Sequence, residues 1–168
     1  MTASTGVPSW LTDVAIPIGT FVLGFLISHF TLSKRDRKDI EQTNYENTER
    51  LIEQHKAAFE RYCSVLKAYD DAEEPTFDHF YAIATAGEAY FYQARLMADA
   101  VLSEKVDTQI RDSTLMPKLK EMTNKTLPLH YSVLQSIAKK KEFEYHGELR
   151  RSDYESIYSA VERFSIGP

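Results

Sequence analysis

Three side chains in the segment EAYFYQAR, residues 88–95, have a spacing that could form a binding pocket. Glu88, Tyr92 and Arg95 follow one another at intervals of four and three residues, so a helix would place them on one face. A carboxylate, a phenol and a guanidinium on one face could hold a ligand or the side chain of a protein partner. The alternative, which the sequence alone favours, is an aromatic core with a polar edge.

The residues that commonly carry catalysis lack the arrangements that known reactions require. The sequence has no glycine-rich phosphate loop of the P-loop type, no Glu-x-x-His pair for a di-iron site, no HExxH zinc motif and no GxSxG elbow. Cys63 is the single cysteine, and we expect the helix around it to bury it as a core residue. We therefore expect a protein that is not an enzyme and that has no cofactor and no metal site.

Two clusters of basic residues could contact anionic membrane lipid. The first consists of Lys34, Arg35, Arg37 and Lys38, and the second of Lys139, Lys140 and Lys141. Lysines near the C-terminal end of a helix are also favoured by the helix dipole alone, which is the alternative explanation for the second cluster. Because the formal net charge is -5, we do not expect nucleic acid as a partner.

The first basic cluster follows a long uncharged segment, VAIPIGTFVLGFLISHFTL, at residues 14–32. As a helix this segment would extend roughly 28 Å, close to the hydrocarbon thickness of a bilayer. Residues 1–13 contain no Lys or Arg, which argues against a cleaved secretory signal. All 20 Lys and Arg residues lie after residue 33, so the positive-inside rule places the N-terminus outside and the remainder in the cytoplasm. We expect a single-pass protein of the inner (cytoplasmic) membrane.

Within this segment, Thr20, Gly24 and Ser28 recur at every fourth residue and would share one helix face. Small residues on one face let two membrane helices approach closely, so this face could form a homo-oligomer. The alternative is that small residues are simply common in membrane helices.

The elements that position these groups are predicted to be helical throughout. Neither Pro nor Gly occurs between Ser33 and Ala72, so the membrane helix is expected to continue as a stalk as far as about Ala72. An apolar stripe from Tyr45 to Tyr69 alternates spacings of three and four, and it could pack within one chain or between chains as a coiled coil.

Caps and helix breakers divide the rest of the chain. Thr76 or Asp78 is expected to cap a second helix that ends near Leu102, and Ser103 a third. The third helix is expected to kink or break before Pro117. A fourth helix would begin after Thr126, carry Leu129 inward and end near Gly147, and a fifth would open with the capping box at residues 152–155.

The resulting fold class is all-α, with a single N-terminal transmembrane helix, a long stalk helix and a cytoplasmic bundle of four to five helices. The predicted domains are a short extracytoplasmic N-terminus at 1–13, the transmembrane helix at 14–32, a basic juxtamembrane stalk at 33–44 and the cytoplasmic bundle at 45–168.

This architecture predicts a non-enzymatic, membrane-anchored interaction or adaptor protein that binds an unidentified cytoplasmic protein. The alternative is a membrane-acting effector or inhibitor of the phage-defence or superinfection-exclusion type, working through oligomerised transmembrane helices. That alternative rests on an analogy of architecture alone.

Overall fold

The computed structural model describes the backbone of residues 16–165 and the side chains of residues 36–164. The regular structure in this range is helical throughout, as the sequence predicts. It comprises α1 (Ile16–Asp70), α2 (Phe77–Leu102), α3 (108–141), a 3-10 turn (Arg151–Tyr154) and α4 (Glu155–Ser165). The predicted uninterrupted helix from the apolar segment toward Ala72 is present as α1.

The predicted membrane segment, 14–32, lies outside the residues whose side chains the structure describes. Within residues 36–164, the part of the chain whose side chains the structure describes, no helix carries an apolar stretch long enough to cross a membrane.

The chain divides into two compact units, Met1–Thr43 and Asn44–Pro168. In the first unit, the side chains of residues 36–43 on α1 are exposed, and the Thr43 hydroxyl donates to the backbone carbonyl of Asp39 at 2.7 Å. The second unit contains the hydrophobic core, which is built from α2, α3, α4 and the part of α1 that follows Asn44.

The apolar stripe of α1 packs within the chain. Thr48, Leu51, His55 and Tyr62 are all buried. The rings of His55 and Tyr62 contact Tyr90 on α2, and the Tyr62 ring also contacts His130 on α3. The stripe is therefore part of the core of one bundle. Cys63 is exposed, so the expectation that α1 buries it is wrong, because the inward face of α1 passes through its neighbour Tyr62.

The predicted bounds of α2 agree with the structure. Thr76 is its N-cap, and the helix ends at Leu102. Phe91, Ala94 and Ala98 are fully buried, and the two alanines allow neighbouring helices to come close.

The expected cap of the third helix is wrong. Ser103 closes α2, since its hydroxyl donates to the carbonyl of Asp99 at 2.7 Å. Asp107 begins α3 instead, and its carboxylate accepts from the backbone N–H of Ile110 at 2.8 Å. Aspartate satisfies the free N–H groups at a helix start as well as serine does.

Of the kink or break predicted before Pro117, the break is absent, because a π segment precedes each of the two prolines of α3 and the helix continues through both. This helix consists of five consecutive segments: Thr108–Ile110 (α), Arg111–Leu115 (π), Met116–Glu121 (α), Met122–Thr126 (π) and Leu127–Lys141 (α). Just before Pro117, the backbone N–H of Met116 donates to the carbonyl of Arg111, five residues earlier. Just before Pro128, the N–H of Leu127 donates to the carbonyl of Met122. A wider turn accommodates a residue that has no N–H and whose ring would otherwise meet the preceding turn.

The predicted third and fourth helices are thus one helix, and Leu129 does not lie on its buried face. Leu129, expected to point inward, is 57% exposed, whereas its neighbours Leu127 and His130 are buried. The buried residues of Leu127–Lys141 recur at spacings of three and four, at positions 127, 130, 134 and 138, and Leu129 lies on the other side of the helix from them.

The end of α3 also differs from the prediction. The helix ends at Lys141 rather than near Gly147, with Glu142 in the left-handed conformation at a φ of 57°. Residues 143–150 then lead without regular structure to the 3-10 turn. Tyr154, Ile157 and Ala160 are buried, and α4 packs against α2 and α3.

Candidate functional site

The three predicted pocket residues line one cavity of about 460 Å³. Glu88, Tyr92 and Arg95 lie on the exposed face of α2, so the helix spacing predicted from the sequence is realised. We call this cavity the Glu88 pocket; its lining consists of Glu88, Ala89, Tyr92, Arg95, Tyr131, Asp153 and Tyr154. The opposite wall therefore comes from α3 and from the 3-10 turn.

Two buried tyrosines hold the Glu88 carboxylate in place. The Tyr131 hydroxyl donates to Glu88 Oε1 at 2.9 Å and lies 2.8 Å from the Tyr154 hydroxyl. Tyr154 is in turn 3.3 and 3.4 Å from the two carboxylate oxygens of Glu88. The two tyrosines are 8% and 2% exposed, so the network forms the floor of the pocket. A carboxylate fixed by such bonds keeps further lone pairs for a ligand.

Both phenols act as donors at neutral pH. Burial raises the pKa of Tyr131 to about 12, and burial together with the neighbouring Tyr131 and Glu88 raises the pKa of Tyr154. Desolvation disfavours the phenolate, and a nearby carboxylate disfavours it further. The pocket floor therefore consists of neutral hydroxyls around one carboxylate.

The close approach of α2 and α3 depends on Gly87, which precedes Glu88. A Cβ at this position would lie 2.1 Å from His130 Cε1, so only glycine fits without movement. Because His130 precedes Tyr131, the contact that packs Gly87 against His130 also brings Tyr131 next to Glu88. Tyr62 fixes the imidazole from a third helix, with its hydroxyl 2.7 Å from His130 Nδ1.

A second cavity, of about 340 Å³, continues from the Glu88 pocket and shares Glu88, Tyr131 and Asp153 with it. Its remaining lining includes Glu148 and Arg150, whose side chains pair at 3.0 Å. The two cavities together form a groove in which Glu88 and Asp153 occupy the shared wall.

The charges of the Glu88 pocket are unevenly distributed. Glu88 and Asp153 supply two carboxylates, and Arg95 supplies one guanidinium. Within the described part of the chain, Arg95 forms no hydrogen bond or ion pair. Arg95 lies two helical turns from Glu88, or roughly 10 Å along α2. The Glu88 end of the pocket thus suits a cation, and the Arg95 end an acidic group.

None of the other predicted residues whose side chains are described lines this pocket. Lys139, Lys140 and Lys141 are exposed on the last turn of α3. Lys139 lies roughly 12 Å along α3 from Tyr131, which lines the pocket. Arg37 and Lys38 are exposed on α1. Thr20, Gly24, Ser28, Lys34 and Arg35 lie outside the residues whose side chains are described.

Sequence reasoning missed Tyr131, Asp153 and Tyr154, since nothing in their local pattern points to Glu88. They lie 43 to 66 residues further along the chain. Among the residues that the structure describes, no group of three or more His, Cys, Asp or Glu side chains could hold a metal ion.

In its described residues the chain is a small helical bundle with a surface groove. Glu88 and Asp153 make this groove acidic, and the buried Tyr131 and Tyr154 lie at its base. Comparisons with protein-family models, curated proteins and solved structures found no match for this chain.

Proposed function

We propose that this chain is a non-enzymatic, membrane-anchored adaptor whose bundle binds a cytoplasmic protein through the Glu88 pocket. The observation that carries the proposal is the Glu88 carboxylate, which two buried tyrosines hold at the wall of an open cavity. A preorganised acceptor binds a donor with little further loss of side-chain freedom.

The partner group that fits best is the side chain of an arginine or lysine. Glu88 and Asp153 offer carboxylates, and charge-assisted hydrogen bonds to them are stronger than neutral ones. Tyr92, 54% exposed at the rim, offers an aromatic face over which a cation can lie. Arg95 would then pair with an acidic residue that flanks the basic one.

The proposed membrane anchor rests on the sequence of residues 14–32 and on the basic residues that follow it. In this proposal the anchor holds the bundle at the inner surface of the cytoplasmic membrane, with the bundle in the cytoplasm. The proposed contacts with anionic lipid headgroups are the two basic clusters, Lys34, Arg35, Arg37 and Lys38 together with Lys139, Lys140 and Lys141.

The test is a selection of random peptides displayed on phage against the full chain in nanodiscs. The proposal predicts enrichment of a motif with a basic residue, and loss of binding when Glu88→Gln removes the carboxylate charge. Glu53→Gln is the matched control, since it removes the same charge from an exposed position of α1 outside the pocket.

Selected peptides without a basic residue, or equal binding to the Glu88→Gln variant, would contradict the proposed site. If toxicity on overproduction, relieved by Gly24→Leu, were the only activity found, the effector alternative would replace the adaptor.

A further inference from the structure

A second site lies between α1 and α3, at a cavity of about 240 Å³ that is separate from the Glu88 pocket. We call it the His55 cavity. His55 lies at its base and is 5% exposed. Within the described residues, the His55 imidazole forms no hydrogen bond to another protein group, and its ring nitrogens are not among the fully buried unpaired atoms, which are Gln93 Oε1 and His130 Nε2. The ring therefore meets the solvent that fills the cavity, and a bound ligand can take the place of that water as its hydrogen-bond partner.

The imidazole presents one donor and one acceptor at neutral pH. Burial, and then the positive charge of Lys118, lowers the pKa of His55 to about 4, so the ring is neutral at pH 7. It can therefore donate one hydrogen bond to an anion without itself carrying charge.

The walls of the cavity are aromatic. The His55 and Tyr90 rings are 4.8 Å apart, and the Phe59 and Tyr90 rings are 5.5 Å apart. Phe59 is 46% exposed and forms part of the lining. Flat aromatic surfaces at this spacing favour a flat ring as the bound group. The volume is below that of typical drug-sized pockets, so one small ring is the expected size.

The rim is positively charged on balance. Lys56 and Lys118 line the cavity together with the single carboxylate of Glu121. Lys56 also lies 3.8 Å from Glu60, in a solvent-exposed pair that is weak. Within the described residues, Lys118 has no hydrogen bond or ion pair, so its ammonium is free to bind a carboxylate.

The position of the cavity on α3 is a separate indication. Met122 and Thr126, the first and last residues of the second π segment, both line it. Single π turns within α-helices occur frequently at functional sites, where they displace side chains from regular helical positions.

We infer that the His55 cavity binds a small planar aromatic carboxylate. The carboxylate contacts Lys118 and receives a hydrogen bond from the His55 ring, while the aromatic ring lies against Phe59 and Tyr90. This site shares no lining residue with the Glu88 pocket.

The test uses 4-fluorobenzoate as the probe, with fluorine NMR of the full chain in nanodiscs of zwitterionic lipid. Saturable broadening of the probe signal is expected, together with a shift of the His55 Cε1 proton resonance, which is assigned by its loss in His55→Gln. The neutral isostere 4-fluorobenzamide is expected to bind at least tenfold more weakly, because it lacks the charge that Lys118 recognises.

Lys118→Met is expected to weaken 4-fluorobenzoate binding about tenfold, since it removes a charge-assisted contact. Lys139→Met, the control, removes an exposed lysine of the same helix outside the cavity and should leave binding unchanged. Absence of saturable binding, equal binding of the benzamide, or equal weakening by both substitutions would overturn the inference.

Discussion

Replacing Gly87 with alanine tests the contact on which the Glu88 pocket depends. The added Cβ would lie 2.1, 2.7 and 2.8 Å from three atoms of the His130 ring. That ring is 2% exposed and bonded to Tyr62 at 2.7 Å, so it cannot turn aside freely. Overpacking of a core typically costs about 1–3 kcal/mol, and alanine returns up to about 1 kcal/mol in helix propensity. Because the Cβ would overlap three atoms of a buried ring, the overpacking cost lies at the upper end of this range, and the expected net loss is about 2 kcal/mol.

Thermal unfolding of the full chain in zwitterionic detergent, followed by near-ultraviolet circular dichroism, measures this loss. A decrease of roughly 5–10 °C in the midpoint is expected for a unit of this size. Gly147→Ala is the matched control, because the added Cβ would also overlap an aromatic ring. In this case the overlap is with the hydroxyl end of Tyr145, which is only half-buried. Because Tyr145 can move, the control should shift the midpoint by less than about 2 °C.

The pairing with His130 is tested by a double substitution. If the clash is the cause, Gly87→Ala should cost much less in a His130→Ala background, with a coupling of about 1–2 kcal/mol. A Gly87→Ala variant as stable as the parent chain, or additive effects of the two substitutions, would refute the argument for a close approach at Gly87.

Three further predictions concern pH, the tyrosine network and topology. Burial lowers the pKa of His55 and of His130 to about 4, so the unfolded chain takes up protons near pH 6.5 before the folded chain does. The free energy of unfolding should therefore be highest above pH 6.5 and should fall as the pH decreases from 6.5 to 4, measured as a decrease in melting temperature. A His55→Phe variant whose melting temperature falls equally steeply over this range would contradict the prediction. Tyr154→Phe removes the hydroxyl that contacts Tyr131 and Glu88, and it should lower the free energy of unfolding by about 1 kcal/mol. The thermal unfolding midpoint measures this loss. An unchanged midpoint would show that the hydroxyl network does not stabilise the fold. Cys63 is exposed, so a membrane-impermeant maleimide should label it in inverted vesicles and not in intact cells, and labelling of intact cells would contradict the proposed cytoplasmic position.

Local signals in the sequence predicted α2 well. Thr76 and Leu102 bound it as expected, because a capping residue and an apolar period of three to four act within a few residues. The same reasoning failed at Leu129, and at Pro117 it did not predict that the helix continues through a π segment. A proline marks a missing N–H, but whether the helix breaks or widens into a π turn depends on packing against α2 and α4, which the local sequence does not encode.

The candidate site was predictable only on one side. Glu88, Tyr92 and Arg95 share a helix, so their spacing indicated a common face. Tyr131 and Tyr154 complete the pocket from distant parts of the chain, and their position depends on the π turns and on the contact of Gly87 with His130. Such tertiary contacts leave no periodic signal in a single sequence.

The most direct test of the adaptor account is a double-mutant cycle between Glu88 and the basic residue of a selected peptide. Titration calorimetry in nanodiscs would measure the binding free energies of the parent chain and of the Glu88→Gln variant. Each would be titrated with the selected peptide and with a variant peptide in which norleucine replaces the basic residue. The account predicts a coupling of about 1–3 kcal/mol between the two charges. A coupling near zero would contradict it, because the basic side chain would then bind without the Glu88 carboxylate.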